Sequence, residues 1–397
     1  MSAGHILTLN AGSSSLKFGL FSADGETCLA HGLADRIGRG GTLGLHLPGK
    51  SGPDLPALPG AAALTDHHAT VEAILTTLAQ VFPGLAVRAV GHRVVHGGPD
   101  FTAPVVLDAG LVARLEAFSP FAPLHQPHNL DAVRAAFAHF PAALQVAAFD
   151  TAFHRSQPFV NDTYALPPEW YARGLRRYGF HGLSYQFIAG ELARTAPDLH
   201  AGRVVVAHLG NGASMCAMRG GRGVASTMGF STLDGLPMGT RPGQIDPGVL
   251  LYMLQQQGMS VAEVSDLLYH NAGLRGMSGL SNDMRTLEAA NTPAARAAID
   301  YFVGRIRREL GGLAAALGGL DGLVFTAGIG ENAARLRAEV CAGMDWFGLT
   351  LDPVANAAHA RTISMPGARV QVLVIPTNEE QMIARAAVQA LAGQSAA

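Results

Sequence analysis

The order of segments along the chain predicts an α/β fold built as two domains, and three observations carry that prediction. Strand-like apolar runs alternate with segments of helical periodicity. At 397 residues the chain exceeds what one hydrophobic core usually serves. One pattern also occurs twice: a strand, an Asn, a run of small residues and a return strand, first at Asn10 and again at Asn211. A Gly-rich hairpin is common, so the repetition is a weak echo of duplication.

The opening reads as a meander, with strands near 5–10, 16–21 and 26–34 and turns at Gly12 and Asp24-Gly25. Residues 38–65 are rich in Gly, Pro and Leu without a clear period and read as irregular surface structure. From Val71 the apolar positions Ile74, Leu75, Leu78, Val81 and Phe82 follow helical spacing. A strand at 86–91 delivers GHRVVHGG (91–98), residues 129–140 read as a helix, and 144–149 as a buried strand ending at Asp150. In the second half, Arg203–Leu209 is a strand, Gly210–Ser214 a small polar turn and Met215–Met218 the return strand. Helices follow near 247–257 and 294–317, the latter with Ile299, Phe302, Val303, Ile306, Leu310 and Leu313 in one stripe. Leu323–Thr326 is a strand running into AGIGEN (327–332) and then a helix. Val370–Ile375 is a strand ending in PTNEE (376–380), and a last helix covers about 380 to 392. In such an architecture ligands sit at the strand ends.

Composition narrows the function. Hydrophobic residues make up 48% and charged residues 15%, the balance of a well-buried globular chain. A formal net charge of −2 supplies no basic field, so nucleic acid is not an expected partner. Cys28, Cys216 and Cys341 are far apart and odd in number, which fits a reducing cytosol and excludes a disulfide framework. No basic segment precedes an apolar run at the N-terminus, so no signal peptide is expected and the location is read as cytoplasmic. Residues 310–330 carry one charge, but Gly318-Gly319 and Asp321 split them into a helix end and a strand; no membrane association is expected.

Polar residues recur at the predicted strand ends. In NAGSSSLKF the small residues allow backbone N–H groups to approach a phosphate, Ser13, Ser14 and Ser15 can donate to it, and Lys17 adds charge. The stretch is not a P-loop, because GxxxxGK[ST] is absent and strand character resumes. Arg93 lies among apolar neighbours and must face an anion, either a protein carboxylate or a substrate. His92 and His96 imitate the ends of HExxH, but the Glu is missing and the segment is a strand, so zinc is not expected there. His181, between Phe180 and Gly182, reads alone as either a structural or a functional histidine. Arg241 sits in the Gly/Pro-rich loop MGTRPGQIDPG, where a cation could neutralise charge during phosphoryl transfer. AGIGEN fits a glycine backbone packed against a flat ring or a phosphate at a helix start.

Ten strings in order, NAGSSSLKF, GHRVVHGG, APLHQPHNL, FDTAFH, RRYGFHGLSYQF, HLGNGAS, MGTRPGQIDPG, SNDMR, FTAGIGEN and PTNEE, span nearly the whole chain. Together they resemble the acetate kinase family. The resemblance implies the sugar-kinase/Hsp70/actin fold, two duplicated ribonuclease-H-like α/β domains with an interdomain cleft for ATP and Mg²⁺ (Mn²⁺ as the alternative ion). It implies an N-terminal domain of residues 1–149 and 382–397, with the last helix returning to it, and a nucleotide-binding domain of residues 150–381. The implied reaction is reversible phosphoryl transfer between ATP and acetate, giving acetyl phosphate and ADP, by a homodimer. By the same resemblance Asn10 and Glu379 are the metal-associated positions, with Glu380 the alternative. Lys17, His208, Leu209, Gly210, Asn211, Gly212, Asp283, Met284, Arg285, Gly328, Ile329, Gly330, Glu331 and Asn332 match ATP contacts. Arg93 matches the residue that binds the acyl substrate, Asp150 the catalytic acid, and His181 and Arg241 the transition-state stabilisers. Val95, Leu124 and Phe180 match the apolar acyl lining, and His125 is expected to contact phosphate or support the site.

Asp150 is less convincing as a base, because a carboxylate substrate with a pKa of about 4–5 is already ionised at neutral pH; the expectation is that Asp150 orients Arg93 or a metal-bound water. Two departures stand out. Thr232 replaces a family proline of the methyl pocket, and APLHQP carries Gln126 where the family has Asn. The first leaves acetate against propionate open, since a methylene is worth only about 1–3 kcal/mol in such a pocket. A nucleotide-driven conformational switch like the chaperone or cytoskeletal members of the fold is the reading of another class, but it would leave Arg93, His181 and Arg241 without a task.

Overall fold

Runs of Ile, Leu, Thr and Phe make the first two strands, and both are covered on their faces. The computed structural model describes residues 4–12, 14–49 and 60–395. Ser13 of the small-residue turn and residues 50–59 of the stretch read as irregular lie outside the described residues. Strand β1 (His5–Ala11) pairs antiparallel with β2 (Ser15–Phe21), placing Asn10 directly across from Lys17. Strands β3 (Cys28–Asp35) and β4 (Thr42–His46) continue the meander. Strand β4 was not expected; its Thr-Leu-Gly-Leu-His sequence alternates outward and inward, with Leu43 and Leu45 in the core, over too short a run to stand out from its Gly-rich surroundings. Strands β5 (Val87–Val94) and β7 (Leu144–Phe149) add parallel beyond β1, and the two-residue β6 (Val105–Val106) closes the edge.

One face of this sheet packs Leu7, Leu9, Phe18 and Val90 against Val71, Ile74 and Leu78 of the helix His67–Val81 and Ala132 and Ala136 of the helix Gln126–His139. The first of these helices starts four residues before Val71 because Asp66 caps it, accepting from the Ala69 N–H at 2.8 Å. The second begins at Gln126, with Pro127 in its first turn. The other face carries the C-terminal helix Glu379–Ser395, whose Ala384 and Ala387 meet Ile6, Ala89 and Val146. Gly91 permits that docking: a Cβ there would lie 2.6 Å from Ile383 Cγ2 and 2.9 Å from the Ile383 carbonyl oxygen. These elements form one compact unit, Met1–Phe153 with Asn378–Ala397.

The second unit, His154–Thr377, is built on β8 (Arg203–Leu209), β9 (Ala213–Arg219), β10 (Arg222–Ser226), β11 (Gly322–Thr326) and β12 (Gln371–Val374). Its order, β10-β9-β8-β11-β12, repeats the order β3-β2-β1-β5-β7 of the first sheet, with the same antiparallel and parallel pairings. The weak echo in the sequence is therefore a full correspondence of topology. The helix Pro293–Leu317 starts at its Thr292 cap and ends on left-handed Gly318, so the sparsely charged stretch divides into helix, strand and a further short helix. No helix among the described residues is long and apolar enough to cross a membrane. AGIGEN differs from the expected loop: Ala327–Asn332 is itself helical, with Ala327 in the left-handed region (φ 64°) at its start.

Candidate active site

In the first unit the C-terminal ends of β1, β5 and β7 and the start of the last helix bring Asn10, Arg93, Asp150 and Glu379 together. Arg93 grips Asp150 with both ends of its fork, Nε donating to Oδ1 at 3.0 Å and Nη2 to Oδ2 at 2.6 Å. Its Nη1 donates to Asn10 Oδ1 at 3.2 Å and lies 3.9 Å from Glu379 Oε2. Burial opposes the charge on Arg93, but Asp150 and Glu379 outweigh it and hold its proton more firmly than usual. Burial is also the main reason the Glu379 carboxyl sits above the usual carboxylate range; Asp150 and Glu380 add to the shift, while Arg93 and Lys17 oppose it. Lys17 projects from β2 into a cavity of about 620 Å³ shared with Asn378 and Glu380.

The parallel ladder between β1 and β5 ends at Leu9 and His92, and beyond it the two chains part. Asn129, buried on the helix Gln126–His139, bridges the gap: Nδ2 donates to the Ala11 carbonyl at 2.6 Å and Oδ1 accepts from the Val95 N–H at 2.9 Å. Three residues earlier, Gln126 holds His96 from both sides, accepting its N–H and donating to its carbonyl, each at 3.0 Å. Val95 is thereby fixed in a buried position, while Leu124 and His125 lie half-buried just before the helix. His92 turns inward to Gln145, 2.8 Å from its Oε1, and burial drives its ring down to about 4, the behaviour of a structural histidine.

In the second unit Gly210, Asn211, Asp283, Met284, Arg285, Gly328, Ile329 and Asn332 line one cavity of about 500 Å³. Asn282 and Glu288, not singled out in the sequence, line it too; Asn282 Nδ2 donates to Asn211 Oδ1 at 2.9 Å. Asp283 caps the helix Met284–Ala290 and pairs with Arg285 through two bonds of 3.1 and 2.7 Å. Gly330 and Glu331 serve the frame of this cavity. Glu331 Oε1 accepts the Ala327 N–H at 2.8 Å and the Thr377 N–H at 3.2 Å. The carbonyls of Gly330 and Glu331 both accept from the fully buried Arg337, each at 2.8 Å. Nothing in the sequence around Arg337 marks it, because a buried arginine bonded to carbonyls leaves no charge pattern.

Beside the turn that follows β8, Arg241 and His181 converge. A Cβ on Gly212 would stand 3.3 Å from His181 Nε2 and 3.4 Å from Arg241 Nη2, so both nitrogens face the space left by the missing side chain. Arg241 Nη1 donates to the Thr232 carbonyl at 3.0 Å, and among the described residues no carboxylate pairs with it. Burial without a counter-charge pushes its guanidinium down to about 10. A cation so placed is built to receive an anion. His181 occupies the left-handed region (φ 58°) ahead of the helix Gly182–Thr195, and its ring stacks on His208 at 4.0 Å. Leu209 and Phe180 are buried in the same unit.

A strand-end arginine locked by a carboxylate, and two side-chain nitrogens converging on a glycine-walled space in a unit that also holds a cavity at strand and helix ends, suit an α/β enzyme that handles phosphate and carboxylate. The chain belongs to the acetokinase family, whose profile matches residues 5–385. It is 54% identical to an acetate kinase of Nitrobacter hamburgensis, over 96% of this chain and 94% of that one. Among solved structures, an acetate kinase of Porphyromonas gingivalis superimposes with a TM-score of 0.86 at 36% identity, covering 98% of this chain and 100% of that one. A propionate kinase from Francisella tularensis gives 0.89 at 34% identity, covering 96% and 98%. The fold is thus that of this family, as the ten strings implied.

Proposed function

We propose that this chain catalyses the reversible in-line transfer of the γ-phosphoryl group of ATP to acetate, giving acetyl phosphate and ADP. The observation that carries the reading is the convergence of Arg241 Nη2 and His181 Nε2 beside Gly212, two donors facing one space with no protein carboxylate on the arginine. In-line transfer spreads charge over three equatorial oxygens, and an arginine meeting that charge is worth roughly 10³–10⁵ in rate. The cavity lined by Asn211, Asp283, Gly328 and Ile329 takes the nucleotide. Arg93 takes the carboxylate, with Asp150 occupying Nε and one N–H of Nη2 and fixing the direction of Nη1. No proton need leave the substrate, so Asp150 acts by holding Arg93.

Asn10 and Glu379 fit a magnesium ion on the chemistry of their donors, an amide and a carboxylate oxygen next to each other around Arg93. Among the described residues no group of three or more His, Cys, Asp or Glu could hold a metal by itself. An amide and one carboxylate oxygen suit an ion that keeps its waters and arrives with nucleotide phosphates. When bound, the ion would neutralise phosphate charge.

Acetate is preferred over propionate because identity to the Nitrobacter acetate kinase, 54%, exceeds the 34% to the Francisella propionate kinase. A homodimer is part of the proposal: no residue of the apolar helix Pro247–Gln255 is buried, and Val249, Leu251 and Tyr252 are exposed on it. Cytoplasmic operation fits the three free cysteines. The test is ATP turnover in hydroxylamine with acetate, propionate or butyrate. Acyl hydroxamate formed only with carboxylate, and with the highest kcat/KM for acetate, is expected. ATP hydrolysis indifferent to carboxylate would overturn the proposal.

A further inference from the structure

His181 presents Nε2 to the space beside Gly212, and its other ring nitrogen is set by a pair of buried hydroxyls. Ser214 Oγ lies 2.8 Å from His181 Nδ1 and 2.5 Å from the Tyr185 hydroxyl, and both Ser214 and Tyr185 are fully buried. Ser214 sits on β9 just past the Gly210–Gly212 turn, and Tyr185 one helical turn after His181, its N–H donating to the His181 carbonyl at 3.1 Å. The ring is further held against His208, whose Nδ1 lies 2.9 Å from Ser184 Oγ.

We propose that Ser214 and Tyr185 are positioning residues that form a reversible hydroxyl relay, keeping a proton on His181 Nε2 in both charge states of the ring. The proposal rests on the phosphoryl transfer inferred above. A phosphoryl oxygen needs a donor at Nε2, yet a neutral imidazole carries one N–H, and the partner of the other nitrogen decides which. A carbonyl at Nδ1 would accept only, and would leave Nε2 bare once the ring was neutral. A hydroxyl can do either. With the ring neutral, Tyr185 donates to Ser214 and Ser214 to Nδ1, leaving the proton on Nε2. With the ring charged, Nδ1 donates to Ser214 and Ser214 to Tyr185. Two hydroxyl hydrogens rotate and no bond between heavy atoms changes. Among the described residues, the ionisable groups that face the ring include His208 from β8, Arg241 from the loop beside Gly212 and Tyr185 of its own helix, with His154 packed edge-on against Tyr185.

The test measures kcat at saturating ATP and acetate from about pH 5 to 8, the span in which an ordinary imidazole changes charge, for the full-length wild type, Ser214→Ala and Tyr185→Phe. The wild type should hold kcat within about twofold across the range. Ser214→Ala should lose about fivefold or more on the alkaline side relative to the acid side, less than the roughly 10²–10³ of losing a positioned donor outright because a neutral ring still carries its proton on Nε2 part of the time, with KM for ATP unchanged. Tyr185→Phe keeps the serine hydroxyl but removes what orients it, so it should show the same slope at smaller amplitude; it carries the test if Ser214→Ala does not fold. A folded variant whose kcat is unchanged, or falls equally at every pH, overturns the relay. Absence of acetate-dependent turnover in the wild type would instead overturn the underlying function.

Discussion

Asp150→Asn removes one of the two carboxylate oxygens that grip Arg93 and leaves the shape of the side chain intact. In the native chain those bonds are 3.0 and 2.6 Å long, and Asp150 is buried. Asparagine can accept from one guanidinium nitrogen, but its NH₂ faces the other, so one charge-assisted hydrogen bond is lost. Such a bond is worth about 1.5–3 kcal/mol, which corresponds to about tenfold to a hundredfold in the acetate KM if Arg93 is the carboxylate's anchor. Steady-state rates at varied acetate, read as hydroxamate from acid to alkaline pH, provide the measurement. The variant should show a raised acetate KM, an ATP KM near the wild-type value and a kcat–pH profile of unchanged shape. A general base would behave differently, giving the wild type an acid-side loss of kcat that disappears in the variant. A fall in kcat of about 10³ or more, the scale of general-base loss, with acetate KM unchanged and that acid limb gone would refute the positioning role.

Three further outcomes follow from the same geometry. Gly212→Ala places a methyl 3.3 Å from His181 Nε2 and 3.4 Å from Arg241 Nη2, a crowding relieved by shifts well under 1 Å, so kcat should fall by clearly less than the hundredfold of a 1 Å misplacement, about tenfold, with a smaller change in nucleotide KM. Burial holds the Glu379 carboxyl above its usual range, so as pH falls toward that raised range a cation there competes with a proton. Binding of Mg²⁺–ATP should therefore tighten as pH rises, with proton release seen by calorimetry in buffers of different ionisation heat, and Glu379→Gln should abolish that release. The sign for the free protein is opposite: a raised carboxyl pKa in the fold means that ionising Glu379 costs stability as pH rises. Gly91→Ala crowds Ile383 at 2.6 Å and should destabilise the chain by about 1–3 kcal/mol in urea unfolding.

Much of this was legible in the sequence where a physical period or a special residue marked it. The hairpin at Asn10 and its counterpart at Asn211 announced themselves through small residues between β-rich runs, and both sheets open on them. Arg93 among apolar neighbours demanded an anion, and Asp150 supplies it while Nη1 remains directed at Asn10. Strands β4 and β10 were missed because five-residue strands rich in Gly give too few alternations. AGIGEN read as a loop because its glycines conceal a single helical turn that Glu331 caps at Ala327. The supporting groups left no signal at all. Arg337, Asn129, Gln126 and Ser214 act by bonding backbone or a side chain about twenty to over a hundred residues away, and only the fold makes those contacts.

A carboxylate oxygen of acetate is the nucleophile that receives the phosphoryl group of ATP. Acetate labelled with ¹⁸O in both oxygens, incubated with ATP and the full-length chain, puts that claim to the test by ³¹P NMR of the product. The expected product is acetyl phosphate with the label retained in the oxygen that joins carbon to phosphorus. Unlabelled inorganic phosphate released at the same rate with or without acetate would contradict it.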